Sequence, residues 1–81
     1  MINIRFFAYL RERLDVGSID YEITAEKTVA DIMEQLIAKG EPWTLLAEQD
    51  VLIAVNQTLT SKSEYIKDGD ELAFFPPVTG G

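Results

Sequence analysis

The chain contains no cysteine and no histidine. Without cysteine there is no disulfide framework, no thiolate nucleophile and no thiolate metal site. Without histidine the commonest general base and the commonest metal ligand are both missing. Carboxylates alone can hold hard cations, but no loop has the ligand spacing of a calcium-binding hand, and no metal is expected. Long apolar runs are missing as well. The continuous aliphatic run VLIAV at 51–55 falls far short of the eighteen or so residues that a membrane-spanning helix needs. The first residues lack the basic stretch, apolar core and small-residue cleavage site of a secretory leader. The expectation is a soluble protein retained in the cytoplasm. Positive charge is scarce, with 7 basic against 14 acidic residues and a formal net charge of −7. Such a field repels phosphate backbones and anionic lipid, so nucleic acid and membranes are excluded as expected partners and a basic protein surface is favoured. A self-contained enzyme is not expected from this inventory.

What is present suits one small folded domain: 81 residues, of which 47% are hydrophobic. Ile2, Ile4 and Phe6 alternate with Asn3, Arg5 and Phe7, the period of a half-buried strand. Leu10 and Leu14 lie four apart among charges and suggest a short helix stopped near Gly17. Ile19, Tyr21 and Ile23 alternate in a second strand, SIDYEIT. In TVADIMEQLIAKG, Val29, Ile32, Met33, Leu36 and Ile37 form one helical stripe. Thr28 and Asp31 resemble a capping box, and Gly40 suits a left-handed stop. Pro42 and Trp43 open a brief helical or irregular piece running through Glu48. VLIAV reads as an interior strand, NQ as a turn into the short strand TLTS, KDGDE as another turn, and ELAFF as the last strand, ended by Pro76. One long amphipathic helix over a mixed sheet gives a two-layer α+β plan. The version with the last strand parallel to the first is the β-grasp, or ubiquitin-like, roll, expected over residues 1–76. Residues 77–81 are expected to form an extended, flexible tail.

Strand parity then selects a surface. If Ile2, Ile4 and Phe6 face the helix, Phe7 faces away; if Leu72 and Phe74 face the helix, so does Phe75 face away. In a β-grasp the two strands are neighbours, which places Phe7 and Phe75 on the same open face, with Leu59 able to join them. Isolated surface hydrophobes are ordinary, but two outward phenylalanines beside a tail suit a docking patch. Arg5, Arg11 and Arg13 are candidates for a polar rim, although a solvated charge is the simpler reading of each.

The tail itself, FFPPVTGG, combines features that suit one chemical task. Pro76 and Pro77 hold an extended course, and residues 76–81 reach at most about 20 Å from the sheet. Gly80 and Gly81 carry no side chains, so a carboxylate at Gly81 can pass down a narrow channel. A carboxylate delivered this way can attack the α-phosphate of ATP and form an acyl-adenylate. A frayed end is the simplest alternative. At average glycine usage, though, a Gly-Gly ending arises by chance in only about 0.5% of chains.

The stretches FFAYLRE, AVNQTLT and DGDELAFFPPVTGG resemble the small subunits of molybdopterin synthase, ubiquitin-like sulfur carriers of molybdenum cofactor biosynthesis. The resemblance spans essentially the whole chain and is most specific at the last stretch. It implies a non-catalytic, sulfur-donating subunit with no permanently bound cofactor. An adenylating partner similar to ubiquitin-activating enzymes would use ATP to activate the Gly81 carboxylate, and a sulfur donor would replace AMP to leave a thiocarboxylate. The charged carrier would then dock on the large, catalytic synthase subunit in a heterotetramer. There it would thread Pro76, Pro77, Val78, Thr79 and Gly80 into the active site and deliver sulfur to a cyclic pyranopterin precursor. Phe7, Leu59 and Phe75 are the docking residues the resemblance assigns, and Arg11 from the candidate rim is expected to bind the partner with them. Three other readings share the tail or the fold: a sulfur carrier for thiamine or another thio-metabolite, a ubiquitin-like protein modifier, and a non-covalent interaction module with an inert terminus.

Overall fold

In the computed structural model, which describes residues 1–47 and 51–76, the alternation of INIRF becomes strand β1, Ile2–Phe6. Its inward residues Ile2, Ile4 and Phe6 are buried, whereas Arg5 between them is exposed. Helix α1, Ala8–Leu14, follows and buries Leu10 and Leu14. Its left-handed stop falls two residues before the glycine at 17. Asp15 takes the left-handed conformation (φ 59°) and its N–H bonds back to the Arg11 carbonyl. Aspartate is among the few non-glycine residues that accept this geometry readily. Gly17 instead pairs with the end of β1, its carbonyl accepting the Phe6 N–H.

Strand β2, Ser18–Tyr21, runs antiparallel to β1 and is shorter than the alternation through Ile23 implies. Ile19, Tyr21 and Ile23 pack on the core only from its margin. A two-residue strand, β3 at Lys27–Thr28, leads into α2, Val29–Ile37. Thr28 Oγ1 accepts the Asp31 N–H at 3.2 Å while Asp31 Oδ2 accepts the Thr28 N–H at 3.1 Å, a complete capping box. Val29, Ile32, Met33 and Leu36 are buried along the predicted stripe. The chain leaves the helix through Gly40 (φ 87°) into a 3-10 turn, Trp43–Ala47, that inserts Leu46 into the core.

The remaining strands are β4 (Leu52–Val55), β5 (Thr58–Thr60), β6 (Tyr65–Ile66) and β7 (Glu71–Phe75). The main sheet has the order β2-β1-β7-β4-β5, with β1 and β7 parallel and the other pairs antiparallel. One face of this mixed sheet carries α2, with Phe6 stacked on Phe74 at 5.9 Å and met edge-on by Trp43 at 5.7 Å. The fold is the β-grasp expected. The sequence reading did not anticipate the separate β3–β6 ladder, in which Ile66 is buried. Two-residue strands are too short to carry a period. No helix among the described residues is long and apolar enough to cross a membrane.

Candidate functional site: the open face of the sheet

The parallel register Ile4↔Leu72, Arg5↔Ala73, Phe6↔Phe74 sets Phe7 beside Phe75 one step further on. Their rings stack at 4.6 Å between centroids with planes 7° apart. Each is half-buried, because each ring covers one face of the other. The Arg5 guanidinium extends the stack, 5.3 Å from the Phe7 centroid, and Arg5 Nη1 lies 3.8 Å from Glu71 Oε2. The cation therefore sits between an aromatic face and a carboxylate. At this exposure the cation–π contact contributes about 0.5–1 kcal/mol.

Across the sheet, the outward row reads Arg5, Ala73, Ala54, Leu59. The two central members are alanines, so the sheet surface drops between the Phe7–Phe75 stack and Leu59. The result is a hollow of about 260 Å³ lined by Arg5, Phe7, Ala54, Leu59, Ala73 and Phe75, with Gln57 and Glu71 on its rim. Ala54 and Ala73 form its floor and are only 4% and 5% exposed. Leu59, by contrast, is 67% exposed, and Leu52, opposite Phe75, is 37% exposed. This volume is below the ~300–1,000 Å³ of small-molecule pockets, and the apolar wall stands open to solvent. A protein surface fits it better than a metabolite does.

The turn between β4 and β5 holds the rim in place. Asn56 and Gln57 both have positive φ (51° and 69°), the requirement of a type I′ hairpin turn. Asn56 Oδ1 accepts the Glu71 N–H at 3.0 Å, and Asn56 Nδ2 donates to Asp70 Oδ1 at 3.1 Å. Asp70 Oδ2 in turn accepts the Lys67 N–H at 2.9 Å. Partial burial raises the Asp70 carboxyl, but the Lys67 N–H, the Asn56 amide and the Lys67 charge more than offset it. The group is held below the ordinary aspartate value. The start of β7 is thus tied to the β4–β5 turn by side-chain as well as ladder bonds.

The structure brings together Phe7, Leu59 and Phe75 as strand parity required. Arg11 is elsewhere: its side chain lies across Gly17, where an added Cβ would come within 3.1 Å of Nε, and it does not line the hollow. The arginine at the hollow is Arg5. Pro76 follows β7 and is half-buried, whereas Pro77, Val78, Thr79, Gly80 and Gly81 lie outside the described residues. Sequence reasoning missed Ala54, Ala73 and Gln57. Counting by twos from Phe75 reaches Ala73, but a small residue draws no notice until its neighbours are known to be large. Among the described residues no polar or charged side chain is buried, and no group of three or more acidic residues is placed to hold a metal.

The model of the ThiS family matches residues 4–81. The chain belongs to the ThiS family. Among curated members, it is 46% identical to the molybdopterin synthase sulfur carrier subunit of Haemophilus influenzae, with 100% of both chains covered. In three dimensions this ThiS-family chain superposes on SAMP1 of Haloferax volcanii with a TM-score of 0.80 and 25% identity, covering 99% of this chain and 98% of that one. It also matches a chain from the complex of subunits 1 and 2 of the molybdopterin-converting factor of Helicobacter pylori. There the TM-score is 0.64 and the identity 25%, with 99% and 97% of the two chains covered. Both superpositions are ubiquitin-like folds of the kind described above.

Proposed function

We propose that this protein is the sulfur carrier subunit of a molybdopterin synthase. It does not catalyse by itself; it supplies sulfur to the large subunit, against which the open face docks. The observation that carries the reading is the continuity of that face with the C-terminal segment. Phe75, the last residue of β7, stacks on Phe7, and the next residue, Pro76, leads into the segment ending in Gly-Gly. A partner that covers the hollow therefore receives the tail at a fixed origin. The family match running to Gly81 and the full-length identity to a named carrier support the same conclusion.

In this reading, an activating enzyme directs a Gly81 carboxylate oxygen onto the α-phosphorus of ATP, forming the acyl-adenylate as pyrophosphate leaves. A sulfur donor displaces AMP, giving a thiocarboxylate whose sulfur is the nucleophile. On the large subunit, with residues 76–80 threaded into its active site, that sulfur is transferred to the cyclic pyranopterin precursor. Two such transfers build one dithiolene, which fits a heterotetramer of two large and two small subunits. Gly80 keeps the approach slim and Gly81 keeps the reacting carbonyl unhindered. ATP and the activating enzyme act in the cytoplasm, where the carrier is also placed. The absent cysteine and histidine are then no deficit, because the sulfur rides on a main-chain terminus and the bases belong to the partners.

Intact-mass measurement on protein isolated from its own cells tests this. A form heavier by the difference between one sulfur and one oxygen, localised to Gly81, is expected. Conjugates joining Gly81 to lysine side chains would instead identify a modifier, and neither species would leave only a docking module.

A further inference from the structure

Type I′ hairpin turns favour Asn-Gly, because both central residues need positive φ and only glycine takes the second position without strain. Here the second position is Gln57, at φ 69°. Asn56 explains itself, since both ends of its amide bond to the start of β7. Gln57 has no such account. It is exposed, its amide makes no hydrogen bond to any described residue, and a glycine would serve the turn better. Its position is distinctive, because it rims the hollow together with Arg5, Leu59, Glu71 and Phe75. Strained backbone kept without a folding benefit is characteristic of functional surfaces.

We propose that Gln57 is a specificity-determining residue of the docking face, whose primary amide pairs with a peptide group of the large synthase subunit at the edge of the apolar contact. A primary amide offers one acceptor and a donor on the same plane, which complements the C=O and N–H of a main chain. Leu59 and the Phe7–Phe75 stack supply area without direction; Gln57 supplies direction. The apolar contact shields this pair from water, which strengthens it and penalises a partner whose main chain leaves the amide unmatched. This inference rests on the carrier reading above.

The test titrates the large subunit of the same organism's synthase with wild-type carrier, Gln57→Gly and Gln57→Ala, and records thermal unfolding of each. Gln57→Gly relaxes the turn and removes the amide, whereas Gln57→Ala removes the amide and keeps the left-handed strain. Both variants are expected to bind roughly 5- to 10-fold more weakly, the size of one net hydrogen bond. Gln57→Gly is expected to unfold no earlier than wild type. Undiminished binding by either variant, while wild type binds, overturns the role of Gln57 and leaves the carrier reading intact. Failure of wild type itself to bind the large subunit would bring down that reading and this one with it.

Discussion

Phe75 is both a stacking partner within the fold and part of the wall of the hollow. Phe7 covers one face of its ring, and the side chain also lines the hollow with Ala54 and Ala73. An aromatic pair of this kind contributes about 0.5–1.5 kcal/mol to the fold beyond its buried area. At the centre of a desolvated interface, the same ring is worth about 2 kcal/mol or more to binding. Phe75→Asp should therefore weaken the complex with the large subunit about 30-fold or more, read by titration calorimetry. Its own unfolding midpoint should fall by roughly 4–8 °C per kcal/mol of lost stacking. Binding at wild-type strength would remove the docking face. Asp70 makes a prediction in acid. Its folded pKa lies below the unfolded value of about 3.9, so its contribution to stability is complete above that value. The contribution disappears as pH falls through the folded pKa. Melting curves from pH 6 down to pH 2 should show a shallower acid loss for Asp70→Ala than for wild type, and parallel curves would contradict the Asn56–Asp70–Lys67 link. Asp31, also lowered by its bonds from the Thr28 backbone and hydroxyl, adds a separate part in the same direction.

At the scale of elements, the proposed reading divides the labour between α2 and the sheet: the helix stabilises, and the open face binds. The capping box shows the division. Thr28→Ala removes the acceptor for the Asp31 N–H and should cost about 1 kcal/mol, or roughly 4–8 °C in the unfolding midpoint. Affinity for the large subunit should not change, because Thr28 is remote from the hollow lining; a matching loss of affinity would mean that the two faces are coupled. The elements most legible in the sequence were those with a sustained period. Ile2, Ile4 and Phe6 announced β1, the stripe from Val29 to Ile37 announced α2, and parity together with the expected β-grasp pairing put Phe7 and Phe75 on one face. Features resting on one or two residues were not legible. The β3–β6 ladder has no room for alternation, the stop of α1 fell to Asp15 rather than Gly17, and the hollow exists because Ala54 and Ala73 are small. Arg5 rather than Arg11 reaches the hollow because it stands on the strand in register with Ala73, a fact of pairing rather than of sequence neighbourhood.

The whole molecule carries a net charge of −7, yet the face around the hollow balances one guanidinium, Arg5, against one carboxylate, Glu71. The acidity therefore lies elsewhere on the surface. In the proposed reading it steers the carrier toward basic partners at long range and leaves the contact itself to apolar fit and direction. The same economy places no buried ionisable group in the described part of the domain. In the proposed reading, the fold presents a grip and the C-terminal segment presents the chemistry. That separation is tested most directly by reconstituting the large subunit with the cyclic pyranopterin precursor and three forms of this chain, ending at Gly81 in a thiocarboxylate, a carboxylate or an amide. Dithiolene should form with the thiocarboxylate alone, two carriers consumed for each product. Equal product from the amide form would contradict the account.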